Sequence, residues 1–95
     1  VGSTGTASNG FQILKGNNVT LKNGTLKVAD SAKNDFYILV QNYADLTVNN
    51  MTLDGTNLDK WSYTDGDSYT LSNNSGYVAL AGTTIIANDE SVAIS

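Results

Sequence analysis

A nine-residue pattern that occurs three times constrains this chain more than any other feature. Asn18-Val19-Thr20-Leu21-Lys22-Asn23-Gly24-Thr25-Leu26 aligns without a gap on Asp45-Leu46-Thr47-Val48-Asn49-Asn50-Met51-Thr52-Leu53, and again on Tyr77-Val78-Ala79-Leu80-Ala81-Gly82-Thr83-Thr84-Ile85. Each copy reads aliphatic, any residue, aliphatic, two bend residues, one variable position, Thr, aliphatic. Upstream of each copy lies another short apolar piece: Phe11-Gln12-Ile13-Leu14, Phe36-Tyr37-Ile38-Leu39 and Ser68-Tyr69-Thr70-Leu71. Ser91-Val92-Ala93-Ile94 reads as the start of a fourth unit. A fixed period must be found before secondary structure is assigned, because it decides the architecture.

Stacking the copies gives four rows: Leu14, Leu39, Leu71 and Ile94; Val19, Leu46 and Val78; Leu21, Val48 and Leu80; Leu26, Leu53 and Ile85. All are aliphatic. The alternation has period 2 and ends in an Asn or Gly bend, whereas an amphipathic helix needs apolar residues three and four apart over about ten or more positions. Only a window such as 26–35 suits a helical turn. The composition agrees, with 9 Gly, no Pro and 40% hydrophobic residues. Short strands joined by tight polar bends are expected.

Rows of like aliphatics at a short repeat resemble the right-handed parallel β-helix, the pectate-lyase-like solenoid. That resemblance covers residues 11–95 and implies an all-β fold of about three coils plus the start of a fourth. Residues 1–10 then form an irregular lead-in or linker. Each inward row becomes a ladder of side chains about 4.8 Å apart. Asn23 and Asn50 fall at the same bend, where Asn tolerates a left-handed backbone and can bond its equivalent one coil away; Gly82 would end such a ladder. The competing architecture is an antiparallel β-sandwich, which has no reason to repeat one pattern in register.

If the first row faces inward, Phe11, Ile13, Phe36, Ile38 and Val40 face outward as an apolar strip, a candidate interface. Ser68, Thr70, Ser72, Ser91, Ala93 and Ser95 are then the wet outer positions of the later coils. Three coils barely suffice for a free-standing repeat fold. The segment is therefore expected to belong to a longer chain or to stack its open ends on other domains or subunits.

Several chemistries are excluded outright. The chain has 5 Lys, no Arg, no His and no Cys, with a net charge of -4. Thiolate and imidazole metal sites, Cys nucleophiles and His-based triads are impossible. No basic cluster exists to neutralise nucleic-acid phosphates, and no apolar run is long enough to insert in a membrane. Enzymes on β-helices use clustered carboxylates, with Ca²⁺ and a basic residue in lyases or paired acids in hydrolases. Here Asp45 aligns with Asn18 and Tyr77, and Asp54 with Lys27 and Ile86, so equivalent acids do not cluster.

One excursion stands out: eighteen steps separate Leu53 from Leu71, against thirteen from Leu26 to Leu39. It holds the only Trp, Trp61, with Tyr63, Asp65 and Asp67. Aromatic faces beside carboxylates hold sugar rings, which makes these four a candidate glycan loop. Asp65-Gly66-Asp67 offers two carboxylates to Ca²⁺ but lacks EF-hand spacing, so no cofactor or resident metal is expected. The function expected is that of a non-enzymatic structural or interaction module of an extracellular, adhesin-like bacterial surface protein. Two alternatives are a phage capsid-decoration or tail-spike component in a virion, and a fragment of a polysaccharide lyase or hydrolase.

Overall fold

A computed structural model describes residues 8–59, 68–88 and 92–95. Among the described residues eight strands follow one another: β1 (Ser8–Ile13), β2 (Asn18–Lys27), β3 (Phe36–Asn42), β4 (Asp45–Asp54), β5 (Tyr69–Asn73), β6 (Tyr77–Ala81), β7 (Thr84–Ile86) and β8 (Val92–Ile94). A 3-10 turn, Asp30–Ala32, lies inside the window where the sequence tolerates a helical turn. Strand β1 starts at Ser8, within the stretch expected to be irregular.

The strands form two sheets, ordered β1-β3-β5-β8 and β2-β4-β6, with β7 also pairing β4. Every pairing among the described residues is parallel. Parallel neighbours cannot be joined by a tight hairpin. Here the crossover is made by visiting the other sheet between one strand and its neighbour, so the antiparallel sandwich is excluded.

In the second sheet the register follows the sequence repeat. Val19 pairs with Leu46 and Leu46 with Val78; Leu21 with Val48 and Val48 with Leu80; Leu26 with Leu53 and Leu53 with Ile85. Leu46, Val48 and Leu53 on the central strand are fully buried, while their partners on β2 and on β6 and β7 are half-buried or exposed. The core is therefore centred on β3 and β4. Asn23, Asn50 and Gly82 all take positive φ, at 62°, 53° and 58°. This is the left-handed bend that Asn and Gly tolerate and that turns the chain midway along each repeat. A Cβ on Gly82 would lie 2.5 Å from Asn50 Oδ1, so the Asn50 amide fills the space that a side chain at 82 would need.

The first sheet departs from the expected row by one residue on β3 and by three on β1. Phe11 pairs with Val40, Val40 with Leu71 and Leu71 with Ile94, so Leu39 lies on the opposite face of β3 from the file that contains Leu71. Leu14 falls beyond the end of β1 and is 61% exposed. A one-residue slip exchanges the faces of a strand. The apolar strip expected outside is accordingly inside: Ile13, Ile38 and Val40 are 4%, 3% and 0% exposed, and Phe11 and Phe36 pack partly buried against the core. Leu39 is buried as well, so β3 is covered on both faces, as central strands of parallel sheets commonly are.

The positions expected to be wet are also corrected. Ser68, Thr70 and Ser72 are buried, and their hydroxyls donate to the Asp59 carbonyl, to the Ile86 carbonyl at 2.7 Å and to Asn74 Oδ1 at 2.8 Å. Hydrogen bonding is what permits them to leave water. Ala93 is half-buried and Ser95 exposed, while Ser91 lies outside the described residues. Val28, Ala44, Met51 and Leu58 complete the core from connectors and from the variable position of the repeat.

Candidate functional site

Trp61, Tyr63, Asp65 and Asp67, the glycan-loop and Ca²⁺ candidates, lie outside the described residues. Of the candidate interface, Ile13 and Val40 lie in the core cluster, Phe11 and Phe36 pack partly buried against it, and Ile38 is buried. What the structure offers instead is a groove where the chain passes from the first sheet to the second.

The groove rests on a buried amide. Asn42 closes β3 and is fully buried; its Oδ1 accepts from the Ala44 amide at 3.1 Å. Its Nδ2 donates to the Ala44 carbonyl at 2.9 Å, to Asn73 Oδ1 at 3.0 Å and to the Tyr77 carbonyl at 3.2 Å. Asn73 is the register partner of Asn42 and passes the bonding on through Nδ2 to the Gly76 carbonyl at 3.0 Å. One row outward, Gln12 Nε2 donates to Oε1 of its own partner Gln41 at 2.7 Å. The amide ladder thus stands at the junction between the sheets. Gly76 is required there, because a Cβ would come within 2.6 Å of the Ala44 carbonyl oxygen and 2.7 Å of Asn42 Nδ2.

Above this support, successive connectors leave a cleft of about 760 Å³ lined by Gln12, Leu14, Lys15, Tyr43, Asn74 and Ser75. A second hollow of about 510 Å³ shares Lys15, Tyr43 and Ser75 and extends to Asp45 and Tyr77. Tyr43 is half-buried; Tyr77 and Leu14 are exposed. The wall therefore combines two phenol rings and an aliphatic side chain with amides, a hydroxyl, the Lys15 ammonium and, in the second hollow, the Asp45 carboxylate. Such a mixture binds by stacking and hydrogen bonds.

A smaller hollow of about 130 Å³ holds Lys27, Asp30, Asp54, Thr56 and Asn57. Both carboxylates have hydrogen-bond partners: Asp30 Oδ1 accepts from Asn57 Nδ2 at 2.9 Å, and Asp54 Oδ1 accepts from the Thr56 hydroxyl at 2.5 Å and the Thr56 amide at 2.9 Å. The Thr56 hydroxyl, then its backbone amide, and the nearby Lys27 charge hold the Asp54 carboxyl below its ordinary range. A general acid needs the opposite displacement. Among the described residues no group of three acidic side chains gathers where a metal ion could sit. The sequence signal for the groove was the Asn and Gln content of the strand ends, which the aliphatic repeat does not include.

None of the known protein families, curated proteins or solved structures matches the chain.

Proposed function

We propose that this chain is a non-catalytic structural and interaction module, a right-handed parallel β-helix segment of about three coils and the start of a fourth, of the adhesin-like kind that works outside the bacterial cell. The observation that carries this reading is the register of the second sheet. Equivalent repeat positions pair in parallel, and between one pairing and the next the chain visits the first sheet. A chain that advances by one strand spacing per circuit builds a stiff scaffold from short repeats and presents its connectors along one side.

The interaction surface of this module is the groove, and the ligand it suits is a glycan. Tyr77 and Tyr43 offer ring faces, while Gln12 and Asn74 offer amides that can pair with vicinal hydroxyls. The test is a glycan array read with the intact chain and with Tyr77→Ala, beside a reducing-end assay on acidic and neutral polysaccharides. Reversible binding lost in Tyr77→Ala, without product, is expected. Release of product by the chain alone would overturn the non-catalytic reading, and array signals unchanged by Tyr77→Ala would remove the groove from it.

A further inference from the structure

The three connectors that carry the chain from the first sheet to the second differ in length. They span residues 14–17, 43–44 and 74–76, so the middle one has two residues where its neighbours have four and three. All three are pinned to one another at both ends. At the first-sheet end the Tyr43 amide donates to the Ile13 carbonyl at 2.9 Å and the Asn74 amide to the Asn42 carbonyl at 2.8 Å. At the second-sheet end the Asp45 amide donates to the Asn17 carbonyl at 3.1 Å and the Tyr77 amide to the Ala44 carbonyl at 2.9 Å.

A longer segment between fixed ends has surplus chain, and a packed core leaves it only the outward direction. The outer connectors accordingly arch into solvent through left-handed residues, Gly16 at φ 90° and Ser75 at φ 59°. Residues 14–17, Asn74 and Ser75 are exposed, whereas Tyr43 is half-buried and Ala44 buried. The groove is therefore a trough, with two arches for walls and the short connector for a floor. Its walls stand two strand spacings apart, about 9.6 Å between backbones, so a single extended chain fits in the place that a longer middle connector would fill.

The two hollows of the groove are the two halves of this trough. They share Lys15, Tyr43 and Ser75; one runs on to Gln12 beside the first sheet and the other to Tyr77 beside the second. Gln12 and Tyr77 are both exposed, so both mouths open to solvent. A site that reads a chain terminus is closed at one end, whereas a passage open at both ends takes a chain that runs through it. We infer that the trough binds an internal stretch of a linear polysaccharide, laid across the coil stack, rather than a glycan terminus. One sugar ring rests on Tyr43, and the chain continues over Tyr77 on one side and past Gln12 on the other. Among the described residues the charged side chains of the lining, Lys15 and Asp45, are of opposite sign, so passage and length select the ligand more than net charge does. This rests on the groove being a glycan site and adds which part of a glycan it takes.

The experiment titrates the intact chain by calorimetry with cello-, chito- and galacturono-oligosaccharides. Each is offered as disaccharide, tetrasaccharide and hexasaccharide, and as a hexasaccharide capped with methyl groups at both ends. In at least one series the hexasaccharide should bind at least about tenfold tighter than the disaccharide, and capping should change its affinity by less than about twofold. Gln12→Ala and Tyr77→Ala, at opposite mouths, should each weaken the hexasaccharide by at least about threefold. Both side chains are exposed, melting curves report whether the variants fold, and the length and capping arms use the parent chain alone. Affinity that stops rising at the disaccharide, that is lost on capping, or that responds to one substitution only would place a glycan end in one hollow. That result would overturn the inference and leave the groove reading standing. Binding in none of the three series, or binding that ignores both substitutions, would overturn the two together.

Discussion

Replacing Asn42 separates an architecture held by amide bonding at the sheet junction from one held by aliphatic rows alone. In Asn42→Ala the Ala44 N–H loses its acceptor in a buried position, at about 1–3 kcal/mol for an orphaned donor. The Ala44 carbonyl keeps a partner in the Tyr77 amide at 2.9 Å, so it adds little. The lost bond to Asn73 adds about 1 kcal/mol. The expected total is about 2–4 kcal/mol, a large part of the roughly 5–15 kcal/mol that holds a small domain together. Asn42→Asp keeps the acceptor but turns a carboxylate toward three oxygen atoms, and it should cost more than Asn42→Ala at neutral pH. Its folded-state pKa is raised above the unfolded value. The added penalty is therefore absent below the unfolded pKa and grows as pH rises through and beyond it. Urea unfolding followed by tyrosine and tryptophan fluorescence at neutral and mildly acidic pH reads both effects. Asn42→Ala within about 0.5 kcal/mol of the parent, the range of an ordinary surface change, would refute the reasoning. So would an Asn42→Asp variant whose deficit does not shrink on acidification.

Four further expectations follow from the same geometry. Leu46→Ala, in the middle of a file, should cost about 3 kcal/mol and Leu80→Ala, at its open end, about 1 kcal/mol; equal costs in urea unfolding would contradict a core centred on β3 and β4. Gly82→Ala places a Cβ against Asn50 Oδ1 at positive φ and should lower stability by about 1–2 kcal/mol, partly recovered when combined with Asn50→Ala; a double-mutant cycle without coupling would count against that contact. Thr70→Val should cost only about 1 kcal/mol despite full burial, because the Ile86 carbonyl retains the Gly55 amide at 2.8 Å; a loss above about 3 kcal/mol in thermal unfolding would show that the hydroxyl does more. Asp54 has a lowered folded-state pKa, so its small contribution is present above the unfolded pKa and is lost as pH falls through the folded one; the melting curves of the parent and Asp54→Asn should converge on acidification, and a gap that widens would reverse the sign.

The second sheet was legible because its signal is redundant. Nine aliphatic positions, a bend residue that tolerates positive φ and a Thr recur together, and any other register would spoil all of them at once. The first sheet carries no such check. In Phe36-Tyr37-Ile38-Leu39-Val40 every residue is hydrophobic, so alternation cannot say which residue matches Leu71; the partner is Val40 and not Leu39. Burial on both faces of β3 removes the contrast on which period-2 reading depends.

Ser68, Thr70 and Ser72 were misplaced for a related reason. A hydroxyl looks like a surface residue until its acceptor is known, and those acceptors are a carbonyl from a connector, another from β7 and a nearby Asn side chain. The groove was hidden because it is made by residues distant in sequence, such as Gln12, Tyr43 and Asn74, which meet only after three connectors are superposed.

The most direct test of the parallel register is a methyl nuclear Overhauser spectrum of the intact chain with Val and Leu methyls labelled. Contacts from Leu46 to both Val19 and Val78, and from Val48 to both Leu21 and Leu80, are predicted. A pattern in which Val19 instead meets Val48 while Leu21 meets Leu46 is the signature of antiparallel pairing and would contradict the account.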